Sequence, residues 1–578
     1  MWPVYAVATI AIFQYLNAAQ CSYAFDDHLA VEGNADADWR LDTGWSLWHN
    51  HFWGKDLRAL DSHKSWRPLT VFSFRAEHAL FAGGDGGHSA TVSHVVNMLL
   101  HAVASAAVFT MIRARLHWAS EAPAGGASGG WLLLCWNDAA AFIAAIILAV
   151  HPVHVEAVTG VVGRADILCA ICVLLALRLY RSTAETADVR TLAAFVVVTW
   201  VAIFTKEIGI TVLAIVGVGD ISLALVRAAD PTRPRRGFAS ALLGRALRRW
   251  PWCLACGVFY ISLRLLVTTA SGGAALGLAP YGVPAGSAAA PLPAASAPHG
   301  SGDGDEDHSP LALISTLVRI VTSGEWRDST LERSGLVRRT ENPFAFINGT
   351  LPKVLSLGYL QARWASLLIA PATLCAEYSY NCIPTVTSVA DPRNAGTVLL
   401  VLTLGMLLRI ACFLGRRGGA QLLLCGRPSA YDGSGAGGRG TVSKVEVARG
   451  RAADARWGRQ QHTLRFALSL AIFPFLPASN LFTTVGTLIA ERLLYVPSIG
   501  FMLGCVVLAQ MRRDARADAA AASDYAISAA AHSTSSSGGG SSAALGAPAR
   551  RWSAGRLRTT FLVLVVAWSA QRTWLRTN

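Results

Sequence analysis

The chain has 578 residues, of which 53% are hydrophobic and only 15% charged, and it carries a net charge of +14. Soluble domains carry about 25% charged residues, so a single soluble domain, a disordered chain and a disulfide-stapled scaffold are excluded. Long apolar runs recur along most of the length and indicate an all-α polytopic membrane protein. In such a protein the excess of 50 Lys and Arg over 36 Asp and Glu reads as topology signal rather than nucleic-acid binding.

In chain order, residues 1–20 are apolar without a basic n-region or cleavage site, and predict a retained signal-anchor helix. Further spans are predicted at 92–112, 139–151, 165–180, 191–205, 208–226, 252–270, 396–415, 463–482, 496–511 and 557–571, eleven in all. The pair Cys253-x-x-Cys256 falls inside one of them without the flanks of a zinc or redox site, and reads as packing. Residues 227–249 hold seven arginines against one aspartate, and 409–459 hold ten Lys or Arg against three acids. The first luminal loop, 22–90, instead has ten acids against six bases. The positive-inside rule then sets the N-terminus in the cytoplasm and the C-terminus in the lumen.

Two segments complicate this layout. The apolar stretch 351–371 would upset the parity as a span, and is read as a luminal re-entrant segment forming the wall of a site. Ala-, Gly- and Ser-rich stretches at 271–300, 428–460 and 515–548 read as unstructured inserts. They belong to a luminal loop, 271–350, and to cytoplasmic loops, 416–460 and 512–556. The sequon Asn348-Gly349-Thr350 falls on the luminal side and is a glycosylation candidate.

Polar residues are expensive at membrane depth, and here they gather at the luminal ends of the spans. Asp26-Asp27 supplies a general base at a low-dielectric boundary, although two solvated or capping carboxylates would look the same. The group His63-Lys64-Ser65-Trp66-Arg67-Pro68 offers Arg67 to a lipid headgroup or a specific phosphate. The run His151-Pro-Val-His154-Val-Glu156 continues to Gly163-Arg164-Ala-Asp166. It offers hydrogen-bonding rings and Arg164 as a phosphate clamp, with a metal cluster as the less favoured reading. Lys206-Glu207 and Glu491-Arg492 are either self-neutralising pairs or sources of positive charge for the site. Asn480 and Tyr495 flank the last pair.

A base, several fixed cations and hydrogen-bonding groups on one face form the inventory for moving a sugar from a lipid-linked phosphate to a hydroxyl. Phosphate leaves without protonation, so one carboxylate suffices, and attack from the far side of the ring inverts the anomeric centre.

These motifs stand in an order that resembles the transmembrane, tetratricopeptide-repeat-containing O-mannosyltransferases, the TMTC family. They read Phe25-Asp-Asp, His63-Lys-Ser-Trp-Arg-Pro-Leu, His151-Pro-Val-His-Val-Glu through Gly163-Arg-Ala-Asp, Lys206-Glu-Ile-Gly-Ile, Pro477-Ala-Ser-Asn-Leu-Phe and Glu491-Arg-Leu-Leu-Tyr-Val-Pro-Ser. The resemblance implies a GT-C fold, residence in the endoplasmic reticulum membrane and dolichyl-phosphate mannose as donor. Acceptors would be Ser and Thr of secretory-pathway proteins, of the cadherin type in animals. It places the catalytic acid on Asp26 or Asp27, with Asp26 preferred. Arg67, Arg164, Lys206 and Arg492 become donor-phosphate ligands, and His151, His154, Glu156, Glu207 and Tyr495 line the site. No cofactor is required on this reading, and a divalent metal is left open. Val155 and Asp166 stand where the family has Thr and Glu, and Ala376-Glu377-Tyr378 where it has an Asp-Trp pair. The family's helical repeats have no counterpart here, since no periodicity of about 34 residues is present; a truncated chain and a stand-alone membrane enzyme both fit. Other readings are a transferase using a different polyprenyl-phosphate sugar, a transporter or flippase, and a non-catalytic scaffold. The absence of internal repeats and of midplane charges argues against transport.

Overall fold

The computed structural model describes residues 2–41, 44–59, 62, 64–82, 87–120, 135–183, 188–229, 238–268, 337, 339–375, 377–413, 415–416, 444–482, 484–535, 566–567 and 569–573. Among the described residues there are helices and loops but no strand, only an isolated bridge between Asn50 and Asp56. In chain order the helices are α1 (Trp2–Gln14), α2 (Pro68–Phe81), α3 (Ala90–Ser120), α4 (Trp136–Ala149) and α5 (Val155–Thr159). They continue with α6 (Arg164–Ser182), α7 (Val189–Thr205), α8 (Val212–Ala229) and α9 (Phe238–Thr268). The last four are α10 (Thr350–Ile369), α11 (Asn394–Leu408), α12 (Lys444–Ile472) and α13 (Tyr495–Ser535).

Helices occupy ten of the eleven segments expected to span. The eleventh, 557–571, lies mostly outside the described residues. Five helices are long and apolar enough to cross a membrane, or six if the bent pair Trp136–Ala149 and Pro152–Thr159 is one span. The strongest sign of a lipid setting is α11, whose most apolar stretch is only 11% buried within the protein. Leu399, Val401 and Leu402 would stand in water without lipid around them.

The core is shared by α1, α3, α4, α6, α12 and α13, through side chains such as Val7, Ile112, Leu148, Leu177, Leu464 and Leu503. Helices α12 and α13 run against each other along much of their length. Gly500 permits their closest approach, because any Cβ there would collide with the backbone of Leu470 and Ala471. A smaller apolar cluster under the acidic loop joins Tyr23, Val31, Phe52, Phe74 and Val161.

Two expectations differ from the structure. The basic stretches 416–460 and 512–556 are partly ordered: α12 begins at Lys444 and α13 runs to Ser535. Their alanines, which made them look low in complexity, are also the strongest helix formers. Arg456 ties the two extensions together through Asp514 and Asp518. The remaining insert, 271–300, lies outside the described residues. The stretch 351–371 is a continuous helix, α10, with no reversal along its length. It buries Ser356, Leu360, Trp364 and Leu367 and packs against α11.

Candidate active site

The site is built where several helices break at the same end of the bundle. Helix α4 stops at Val150 because Pro152 follows. His151 therefore takes an extended conformation (φ −71°, ψ 126°), and the chain bends by 48° into the turn 152–159. This break strands carbonyls that a lipid setting cannot satisfy. Asn97 from α3 donates to Gly160 O at 3.2 Å, with Val158 O and Val161 O also within reach. His101 from α3 donates to Ala149 O at 3.0 Å and accepts from the Tyr495 hydroxyl at 2.7 Å. His154 donates through Nδ1 to Leu148 O at 2.8 Å, with Nε2 at 2.9 Å from Ser498 Oγ.

The acidic loop then packs over this break. Phe25 is held in the left-handed region (φ 49°), a conformation that costs a non-glycine residue about 1–2 kcal/mol. The turn sends the two following carboxylates in opposite directions. Asp27 points inward, is 1% exposed, and accepts from Val162 N at 2.9 Å and Ala24 N at 3.4 Å. Burial pushes its carboxyl above the usual carboxylate range, against the pull of these amides. The neighbouring Tyr23 hydroxyl, 3.1 Å from Ser93 Oγ, is pushed up to about 12 by burial. Asp26 points outward, with its side chain 42% exposed, and meets the Arg492 guanidinium at 3.2 Å.

Arg492 is held from behind. Glu156 accepts from its backbone N at 3.1 Å and lies 3.4 Å from its guanidinium. Residues 491–494 form one 3-10 turn, so the side chain of Glu491 leaves on the other side. It is fully buried and accepts from the Tyr378 hydroxyl at 2.7 Å and Cys375 N at 3.0 Å. The segment after α10 thus buttresses the turn that presents Arg492. Helix α10 itself reaches the break, since His151 Nε2 donates to Leu368 O at 3.3 Å.

Lys206 and Glu207 also part company. Lys206, 3% exposed, pairs with Asp166 at 2.5 Å, whereas Glu207 pairs with Arg67 at 3.0 Å. The charges of Arg67 and Arg492 both act on Lys206, so the three cations form one cluster. Arg67 is partly exposed on the same face.

Arg164 is placed differently from its expectation as a phosphate clamp. It is fully buried, pairs with Glu77 at 2.6 Å and donates to Asn97 at 2.8 Å and Ser93 O at 3.1 Å. Its guanidinium lies over the Phe74 ring. It cross-links α2, α3 and α6 beneath the acidic loop. His151, His154 and Tyr495 are likewise buried and engaged within the bundle, His151 by α10, His154 by Ser498 of α13 and Tyr495 by His101 of α3, rather than open to the face. A metal cluster of His151, His154 and Glu156 does not fit, because their ligand atoms serve separate partners. Among the described residues, metal-like spacing occurs elsewhere, at His117, Cys135 and Asp138. Asn348 is exposed just before α10. His63 and Ala376 lie outside the described residues.

Sequence reasoning missed Glu77, Asn97 and His101, the groups that satisfy Arg164 and the broken helix. Their signal was visible: Asn97 and His101 are four residues apart on one face of an otherwise apolar helix.

The described geometry can be set beside known proteins. A family profile described as protein O-mannosyl-transferase TMTC, DUF1736, matches residues 333–405, which contain α10 and the loop holding Glu491. Human protein O-mannosyl-transferase TMTC4 is 29% identical over 520 residues, covering 88% of this chain and 55% of the relative. Human TMTC3 is 28% identical over 506 residues, covering 86% and 40%. Human TMTC2 is 26% identical over 523 residues, covering 86% and 51%. The chain therefore spans about half the length of the curated relatives it matches. No solved structure matches. The motifs stand in family order and the family profile falls on the segment that walls the site, so the chain is similar to the TMTC O-mannosyl-transferases over 88% of its length.

Proposed function

We propose that this chain is a GT-C-type protein O-mannosyltransferase of the endoplasmic reticulum membrane. It moves mannose from dolichyl-phosphate mannose to Ser or Thr hydroxyls of secretory-pathway proteins. The observation that carries the reading is the half-exposed Asp26 facing Arg492 at 3.2 Å, with Arg67 in the same cation cluster. A carboxylate that can reach an incoming hydroxyl stands beside fixed cations that can hold a phosphate. The names of the TMTC relatives, and a match covering most of this chain, support the same chemistry.

In this reading Arg492 and Arg67 hold the donor phosphate. Binding it draws Arg492 away from Asp26 and leaves that carboxylate free as a base. The acceptor oxygen attacks the anomeric carbon from the far side of the ring. The bond to phosphate breaks with its electron pair on the phosphate oxygen, and the acceptor proton passes to Asp26. No metal enters these steps. Lys206 holds Asp166 and adds its field from below, while Arg164, His151, His154 and Tyr495 keep the broken helix in shape. Asp27 is a positioning residue: by pinning Val162 N and Ala24 N it fixes the strained turn that aims Asp26. The lipid tail of the donor lies in the half-open apolar groove of about 410 Å³ that begins at Pro68 and Leu69, next to Arg67, and continues past Trp45, Trp48 and Phe72.

The test is transfer from labelled dolichyl-phosphate mannose in microsomes bearing the full chain, with dolichyl-phosphate glucose as a second arm. Asp26→Asn should lower mannose transfer by about 10²–10⁴-fold. A folded Asp26→Asn protein with wild-type transfer overturns the assignment. Equal transfer from the glucose donor overturns the sugar. An endoglycosidase-sensitive mass shift that disappears in Asn348→Gln would place the site face in the lumen.

A further inference from the structure

At the end of the bundle away from the acidic loop, α3, α6, α8, α9 and α12 enclose an unusual concentration of positive charge. His462 on α12 is buried, and Arg115, Arg181, Arg245 and Arg465 are close enough for their charges to act on it. Arg245 in turn interacts with Arg227 and Arg249. One carboxylate serves this corner among the described residues that act on these groups: Asp220. It is already taken, accepting from Arg249 at 2.5 Å and from the Tyr180 hydroxyl at 2.6 Å.

Arg245 is the telling residue. It is 6% exposed, yet none of its three guanidinium nitrogens has a hydrogen-bond partner. Asp220 Oδ1 is 3.7 Å from its Nη1 and already engaged. The other arginines are spoken for in part: Arg465 donates to Ser222 Oγ and Ala411 O, and Arg115 lies over the Phe466 ring. The positive-inside rule accounts for cations on exposed loops, but not for a buried guanidinium that makes no hydrogen bond and whose carboxylate, 3.7 Å away, is already engaged. Burying a charge without a partner is costly, and a planar guanidinium with open donors is shaped to receive phosphate oxygens. Basic pockets between membrane helices bind anionic headgroups in this way.

We infer that the corner formed by Arg245, Arg181, Arg115 and His462 binds a phosphate group, supplied by an anionic lipid headgroup or by a soluble phosphate compound. It is a second anion site, at the opposite end of the bundle from Asp26 and Arg492.

The test uses the purified full chain in neutral detergent, following thermal unfolding. The probes are dioctanoyl phosphatidylinositol 4-phosphate, inorganic phosphate and, as control, dioctanoyl phosphatidylcholine. The inositol lipid should raise the midpoint and the choline lipid should not. If inorganic phosphate raises it equally, the source is a soluble phosphate; if only the lipid does, the source is the headgroup. Arg245→Met should weaken binding by at least about fivefold and, without ligand, should unfold at a higher temperature than wild type, because it removes a buried charge that makes no hydrogen bond. Arg181→Gln, at a less buried position, should weaken binding without lowering the ligand-free midpoint. Arg40→Gln at the far end should bind as wild type does. The inference is overturned if neither anion shifts the wild type, if Arg245→Met and Arg181→Gln both bind as tightly as wild type, or if Arg245→Met unfolds at a lower temperature than wild type.

Discussion

At the end bearing the acidic loop, each of four cations has its own carboxylate: Arg67 with Glu207, the buried Arg164 with Glu77, Lys206 with Asp166, and Arg492 with Asp26 and Glu156. At the other end, arginines crowd around His462, and among the described residues that act on them Asp220 is the one carboxylate, shared by Arg245 and Arg249. The first arrangement makes a face whose charges are balanced at rest and can be rearranged by an incoming phosphate. The second stays unbalanced until an anion arrives. Charge in this protein is therefore informative by its partners rather than by its count.

The contrast can be broken or sharpened by substitution, beginning with the largest effect. Asp26→Asn should remove about 10²–10⁴-fold of transfer with little change in unfolding temperature, measured on the same microsomal preparation. Lys206→Met should instead act on stability, since it strands Asp166 as a buried charge. A loss of about 3–5 kcal/mol in denaturant unfolding is expected. Arg245→Met should do the opposite, which makes the two a direct comparison of a buried cation hydrogen-bonded to its own carboxylate and one that makes no hydrogen bond. A stabilised Lys206→Met would erase the distinction drawn here.

Smaller effects separate aiming from chemistry. Glu156→Gln keeps an acceptor for Arg492 N but removes the charge behind the guanidinium. It should raise the apparent KM for the donor more than it lowers kcat, and Glu156→Asp should recover part of the loss. Asp27→Asn bears on the pH dependence of stability. Burial raises the Asp27 carboxyl above its unfolded value, so the ionised group costs stability at neutral pH. That cost fades as the pH falls through the raised value. The variant, which still offers Val162 N an acceptor, should match or exceed wild type in unfolding temperature at pH 7, and the gap should close toward pH 4. A gap that widens on acidification would contradict the inward placement.

Much of the architecture was legible in the chain. The apolar runs located ten helices because a bilayer demands about 20 apolar residues per crossing. Asp26, Arg67, Glu156 and Arg492 stood out as candidates because charge at a membrane boundary has few bland explanations, and the structure brings Asp26 and Glu156 onto Arg492. What failed were inferences from composition: alanine-rich stretches look simple in sequence, yet Lys444–Ile472 and Tyr495–Ser535 continue as helix through them.

Sequence by itself determined the class of protein, the order of its motifs and the end of the bundle at which its polar groups meet. Only the tertiary structure decided which member of each adjacent charged pair faces outward. Asp26 and Asp27 follow a left-handed turn, Lys206 is extended where Glu207 begins a 3-10 turn, and Glu491 and Arg492 open another. In each pair successive side chains leave the backbone on different sides. One therefore meets a partner inside the bundle while the other meets the open face, and linear order carries no record of which is which.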